Sequence, residues 1–345
     1  MIAKNSRYFK VGMFIAPFVL TFITTSLMLL IAGANPFQAY AEIIGGAFES
    51  PRKMADIAVA GVPLLLASAG MLITFAAGLW NIGVEGQIIA GALGATWVIQ
   101  SISAPSYVMI PLSILGGLAG GALWGLLVGL LRTYGGVNEI FAGLGLNFVA
   151  TALTNYLIFG PWKPEGGATM SGTAPFPREA WMPLLSGTRA SPITIVLALV
   201  AIVAVYFVLK DTYWGLKLKA IGLNSRSAHR MGIATTRNML LAFILCGALA
   251  GLAGATQATA VYRRLIPQIS GGYGYLSQLV VLLSGLRAPW VLPIVLFFAS
   301  IQVGSPRLEL RLQLDSSLGG VLQASIVLFF LLVQGIRRRL EAGRE

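Results

Sequence analysis

Residues 57–99 read IAVAGVPLLLASAGMLITFAAGLWNIGVEGQIIAGALGATWVI, and this stretch decides the fold. As one straight helix it would be about 65 Å long at 1.5 Å per residue, twice the hydrocarbon core of a bilayer. It must therefore break. Gly78, Asn81, Gly83, Glu85, Gly86 and Gln87 mark the break. Two membrane-crossing segments joined by a polar interruption are expected.

The rest of the chain is of the same kind. Of 345 residues, 57% are hydrophobic and 10% charged, against about 45–50% and about 25% in soluble domains. Beside 57–78 and 88–101, apolar runs fall at 11–33, 108–131, 140–160, 192–209, 239–261, 275–286, 289–304 and 318–336. A crossing needs roughly 20 apolar residues, so 275–286 is short for a span. The expectation is an all-α, polytopic transmembrane helix bundle forming one domain over 1–345. It has about ten spanning segments with broken helices and both termini on one side. Ten crossings place 15 of the 24 basic residues on the terminal side and 9 on the other. By the positive-inside rule the termini are cytoplasmic, and the protein is multi-pass in a bacterial inner membrane. The net charge of +12 raises nucleic acid as a partner. The basic residues are scattered between apolar runs, however, which excludes a nucleic-acid stripe. Met1–Lys10 is basic and precedes 11–33, a run longer than a signal-peptide core, so it reads as a retained first helix. The single cysteine, Cys246, permits no intrachain disulfide and reads as a small buried packing residue.

Two connections stand out. Residues 161–191 contain Pro161, Pro164, Pro175, Pro177 and Pro183 with Trp162 and Trp181. The prolines exclude a long helix, and parity makes this an extracytoplasmic loop, either a structural cap or a docking surface. Residues 210–238 face inward and are rich in Lys and Arg. There Asn224 is placed to cap a short helix over 225–231 and Gly232 to end it. Leu223, Ala228, Met231 and Ile233 give that helix apolar surface among Arg226, His229 and Arg230. His229 has no ligand-spaced companion and reads as a solvated surface residue. Gly117, Gly121, Gly125 and Gly129 line one helix face, and Gly247, Gly251 and Ala255 repeat the device, so helix backbones approach closely.

Glu85 lies in the break, and Glu139 opens a second polar stretch with Asn138 before it and Asn147 two turns on. A broken helix leaves backbone groups that a cavity or protein burial must satisfy. Asn81, Glu85, Gln87, Asn138 and Asn147 are the candidates for lining or gating a substrate pathway. The alternative is that both stretches are cytoplasmic turns with solvated carboxylates.

Asn81-Ile82-Gly83-Val84-Glu85-Gly86-Gln87 resembles the signature of permease subunits of ABC importers for simple sugars and nucleosides, the family that also holds ribose and branched-chain amino-acid permease-like proteins. Asn138-Glu139-Ile140 through Asn147 is similar to its second motif, with Gly145-Leu146-Asn147 where Met-Leu-Asn is usual. Residues 220–233 with 247–254 resemble its coupling segment and following helix. Gly271-Gly272-Tyr273-Gly274-Tyr275 with Leu283-Ser284-Gly285 resembles its late motif, with Ser284 in place of a usual Gly. The first motif looks more like the nucleoside branch than the ribose branch.

The resemblance implies ABC ATPase subunits carrying ATP and Mg, a second permease subunit (identical or paralogous), and an extracytoplasmic solute-binding protein. It assigns ATPase coupling to Gly222, Asn224, Arg226, Ala228, Arg230 and Gly232. No Walker A loop, catalytic triad or metal cluster occurs in the sequence. The chain thus reads as a non-catalytic transport subunit with no cofactor or metal of its own, surrounded by lipid. A pentose or hexose permease, or a secondary transporter or channel working alone, are the alternatives.

Overall fold

A computed structural model describes residues 7–164 and 172–342. Those residues are all-helical, as expected. In chain order the helices are α1 (Arg7–Ile31), α2 (Pro36–Phe48), α3 (Pro51–Ala76), α4 (Val84–Ser101), α5 (Ser106–Thr133), α6 (Glu139–Phe159) and α7 (Pro192–Asp211). There follow α8 (Tyr213–Leu223), α9 (Ser225–Arg230), α10 (Thr235–Thr256), α11 (Tyr273–Leu283), α12 (Ala288–Gly304), α13 (Pro306–Leu312) and α14 (Leu318–Ala342). A single 3-10 turn, Arg178–Ala180, lies in the 161–191 loop, and a π-helical turn, Gln257–Tyr262, continues α10.

Every apolar run becomes helix, but not every helix is a full crossing. Among the described residues seven helices are long and apolar enough, and α1 with α2, bent by 107°, makes an eighth candidate. The 275–286 run yields α11, whose 11 residues rise only about 16 Å, half the hydrocarbon core. α4 has 18 residues and a polar first turn. Seven to eight candidates among the described residues thus stand against the expected ten or so spanning segments with broken helices. Polar residues and paired glycines at two N-termini shorten the helices there.

The chain divides into two compact units, Met1–Ile57 with Leu296–Glu345, and Ala58–Val295. In the first, α1 packs along α14 and α2 along α13. Asn35 caps α2 by accepting the Phe37 N–H at 3.0 Å, with Pro36 preset for the first turn. Arg307 at the start of α13 meets Glu42 at 2.7 Å and Glu49 at 3.1 Å on α2. Leu29, Ala39, Ile43 and Leu308 close a small core beneath.

The second unit is built on α4, α5 and α10, which pack closely against one another. Lipid offers no hydrophobic push between helices, so this core depends on backbone approach. A Cβ on Gly121 would strike the Gly247 carbonyl, and one on Gly251 would strike that of Gly117. Gly91 of α4 meets Gly251 from the other side. The glycine faces read from the sequence are thus the seams of a three-helix core.

Candidate functional site

α3 ends at Ala76 and α4 starts at Val84, so the chain breaks where residues 78–87 placed the interruption. Gly78 turns there at φ +71°. The break leaves the first N–H groups of α4 short of helical partners, and a side chain from a distant element meets one of them. From α6, the Asn147 side chain accepts the Gly86 N–H at 2.8 Å and donates to the Ile82 carbonyl at 3.0 Å. Its amide nitrogen also lies 3.4 Å from the Tyr275 hydroxyl on α11.

Asn81 and Gln87 form a reciprocal amide pair at 3.1 and 3.2 Å, and the Asn81 amide reaches the Cys246 sulfur of α10 at 3.1 Å. Asn81, Gln87 and Cys246 are all fully buried. Cys246 is the packing residue expected, with a weak acceptor role added.

Glu85 joins the two shortened helices. Its two carboxylate oxygens accept the Gly272 N–H at 3.1 Å and the Gly274 N–H at 2.8 Å. Gly271 and Gly272 have φ of +55° and +76°, a left-handed conformation that glycine adopts without penalty. The turn aims the N–H groups of Gly272 and Gly274 at one carboxylate, while the Tyr273 N–H between them donates to the Ser270 carbonyl at 3.0 Å. An acidic group at a helix N-terminus is favoured by the helix dipole as well. Here the acid comes from α4 and the helix is α11. Glu85 is 7% exposed, so the solvated-turn reading does not describe it.

The five candidates are not all together. Asn81, Glu85, Gln87 and Asn147 form one buried cluster. Asn138 stands apart, exposed, capping α6 by accepting the Ile140 N–H at 2.8 Å. Glu139, in the first turn of α6, pairs with Arg132 at 2.8 Å. Sequence reasoning placed Gly272, Gly274 and Tyr275 in a motif without seeing that they close on Glu85. The signal was the Gly-Gly-Tyr-Gly-Tyr run, which reads as a helix start but does not name its partner.

The inward-assigned segment takes the shape expected. Asn224 accepts the Ser227 N–H at 3.0 Å and opens α9, and Gly232 follows it at φ +82°. Arg226, Arg230 and His229 are exposed and Ala228 is buried. Leu223 is 89% exposed and Met231 82%, an apolar pair flanking a basic turn. Asn224→Ala is expected to cost this turn about 1 kcal/mol. The readout is faster amide exchange at Ser227, and unchanged exchange would speak against the cap.

Gly222 at the end of α8 ties this segment to the break. A Cβ on Gly222 would strike the Ala76 carbonyl, and one on Gly78 would lie 3.0 Å from the Gly222 Cα. The capped turn and the broken helix therefore touch backbone to backbone.

On the other connection, Thr173 N–H donates to the Leu265 carbonyl at 2.9 Å, and Phe176 N–H donates to the Arg263 carbonyl at 2.8 Å. Arg263 stacks over Trp181, 4.1 Å from the ring centre. The stretch leading to α11 is thus fastened to the 161–191 loop at one end and to Glu85 at the other. Residues 165–171 of that loop lie outside the described residues.

Long apolar helices, with a buried polar break in the second unit, define a multi-pass membrane protein. The family described as "Branched-chain amino acid transport system / permease component" matches residues 53–333, and the chain belongs to it. The glucose ABC transporter permease protein TsgB13 of Haloferax volcanii is 31% identical over 320 residues, 90% of this chain and 84% of that one. The nucleoside ABC transporter permease protein NupB of Lactococcus lactis is 27% identical, covering 88% and 85%. The guanosine ABC transporter permease protein NupP of Bacillus subtilis is 26% identical, covering 88% of each chain.

Proposed function

We propose that this chain is the membrane-spanning subunit of an ATP-driven importer of nucleosides or related small polar solutes, working by alternating access. The observation that carries this reading is the backbone contact of Gly222 with Ala76 and Gly78. It gives a push on the capped turn a direct route into the broken helix. ATPase subunits dock on α9 through Arg226, Arg230, Leu223 and Met231. Nucleotide-driven closure moves α8 against the end of α3. The cluster of Asn81, Glu85, Gln87 and Asn147 then serves as the gate, since it joins α4, α6, α10 and α11 at one buried point. About 5.5 kcal/mol inverts a 1:99 population, within reach of nucleotide binding on partner subunits.

Nucleosides are favoured because two relatives carry nucleoside or guanosine names and the Asn81–Gln87 motif resembles that branch. The glucose relative keeps a simple-sugar cargo as the second reading. The proposed assembly adds a second permease subunit and an extracytoplasmic solute-binding protein on the 161–191 side, in a bacterial inner membrane. Both termini are cytoplasmic in this reading. Ten crossings are retained if the non-helical stretch 263–272 enters from the loop side and α11 finishes the passage. ATP and Mg belong to the partner subunits.

The test is uptake by cells expressing the complete transport system. Guanosine uptake should stop on ATP depletion and survive collapse of the ion gradients. Uptake that follows the gradients instead would make the chain a secondary transporter. Glucose uptake with no guanosine uptake would transfer the cargo to the sugar reading.

A further inference from the structure

A cavity of about 800 Å³ opens beside the capped segment, wholly within the second unit. Its wall is apolar, with Leu72 and Phe75 from the last turns of α3, Leu209 from the end of α7, and Trp290 from the start of α12. Its polar lining includes three cations, Lys210, Lys219 and Arg287, and no acidic side chain. All three are exposed. Lys210 donates to the Tyr206 hydroxyl at 2.9 Å and lies over that ring, which fixes the ammonium at the rim.

The place of the cavity decides what it fits. α3 and α7 are long apolar helices that both end here, and α12, another, begins here. Tyr206 and the 58%-exposed Trp290 are the aromatic types that settle at a membrane–water interface. A soluble anion would leave the exposed Leu286 and Trp290 of the lining facing water. A neutral lipid would bring no counter-charge to the three cations, of which Lys210 has Asp211 beside it. An anionic amphiphile satisfies both, since basic pockets between helices at the membrane surface suit acidic head groups. The C-terminal ends of α3, α7 and α11 oppose an anion here, whereas the N-terminus of α12 favours it. The selectivity therefore rests on the three side chains.

We infer that this groove is a binding site for one anionic phospholipid, with the phosphate held by Lys210, Lys219 and Arg287 and an acyl chain laid along Leu286 and Trp290. Gly222 and Leu223 form part of the same lining, so the lipid lies against the contact between α8 and the end of α3. The inference needs only the groove and its charges, and stands whether or not the proposed ATPase coupling is correct.

The experiment is native mass spectrometry of the purified full chain, and of the assembled transporter, after titration with phosphatidylglycerol and phosphatidylcholine. Wild-type protein should retain one phosphatidylglycerol in preference to phosphatidylcholine. At about 1 kcal/mol per basic residue, Lys219→Gln/Arg287→Gln should weaken that retention roughly 30-fold and leave phosphatidylcholine unchanged. The charge-conserving Lys219→Arg/Arg287→Lys variant should keep it, which separates lost charge from lost folding. Glycerol phosphate, the head group without chains, should not compete. Equal retention of the two lipids overturns the assignment, as does undiminished phosphatidylglycerol binding in the Gln variant. Efficient displacement by glycerol phosphate would make this a free-phosphate site. Loss of the lipid on assembly would give the groove to a protein partner.

Discussion

Glu85→Ala is expected to reduce uptake at least tenfold and to loosen α11 without dispersing the α4–α5–α10 core. Two backbone N–H groups, Gly272 and Gly274, end on this one carboxylate. A hydrogen bond to a charged group contributes roughly 1.5–3 kcal/mol, and an abandoned buried donor costs about as much. Removing both acceptors thus destabilises the α4–α11 junction by roughly 3 kcal/mol or more. The close packing of Gly274 on the Glu85 backbone survives, but the remaining polar contact of Asn147 with Tyr275, at 3.4 Å, is long for a hydrogen bond. Glu85→Gln is the milder change. It keeps one acceptor oxygen but turns an NH2 group toward an N–H donor, so about half of the loss is expected. Both variants should be measured for uptake and for amide exchange at Gly272 and Gly274. Native uptake together with native protection in the alanine variant would leave Glu85 with no part in the junction. A loss of uptake with native protection would instead favour a direct pathway role.

The prediction also shows how far the sequence could be read. The break at 78–87 was legible because two bilayer thicknesses of apolar chain cannot be one helix. The α9 turn was legible because capping is local: Asn224 and Ser227 lie within one turn. The glycine seams were legible as faces, since a small residue every fourth position admits few other uses in lipid. What was hidden is long-range. Glu85 and Gly274 are separated by 189 positions, and nothing in either segment specifies the other. Asn138 and Asn147 carry the same amide, one just before α6 and the other two turns along it. Only packing distinguishes an exposed cap from a buried clamp. The number of full-length spanning helices was hidden for a related reason. An apolar run records burial in lipid or in protein equally well, and α11 starts inside the protein.

The second large effect concerns the contact between α8 and α3. Gly222→Val is expected to abolish solute-dependent uptake, by tenfold or more, while the chain remains inserted and any partner ATPase still turns over. A Cβ at 222 meets the Ala76 carbonyl and the Gly78 nitrogen, both backbone atoms that cannot rotate away. Overpacking of this kind costs about 1–3 kcal/mol and is relieved by moving elements apart. The element free to move is α8, because α3 carries a largely buried span. Valine therefore wedges the capped turn away from the break. Gly232 provides the contrast. Nothing lies within 4 Å of a Cβ there, and only its φ of +82° resists substitution. Gly232→Ala should cost roughly 1 kcal/mol and leave uptake within a few-fold of wild type. If force reaches the bundle through this contact, the two glycines must separate in uptake but not in insertion. Equal uptake by both variants would mean that the capped turn moves the bundle by another route. Equal loss in both would point to damage in the segment itself.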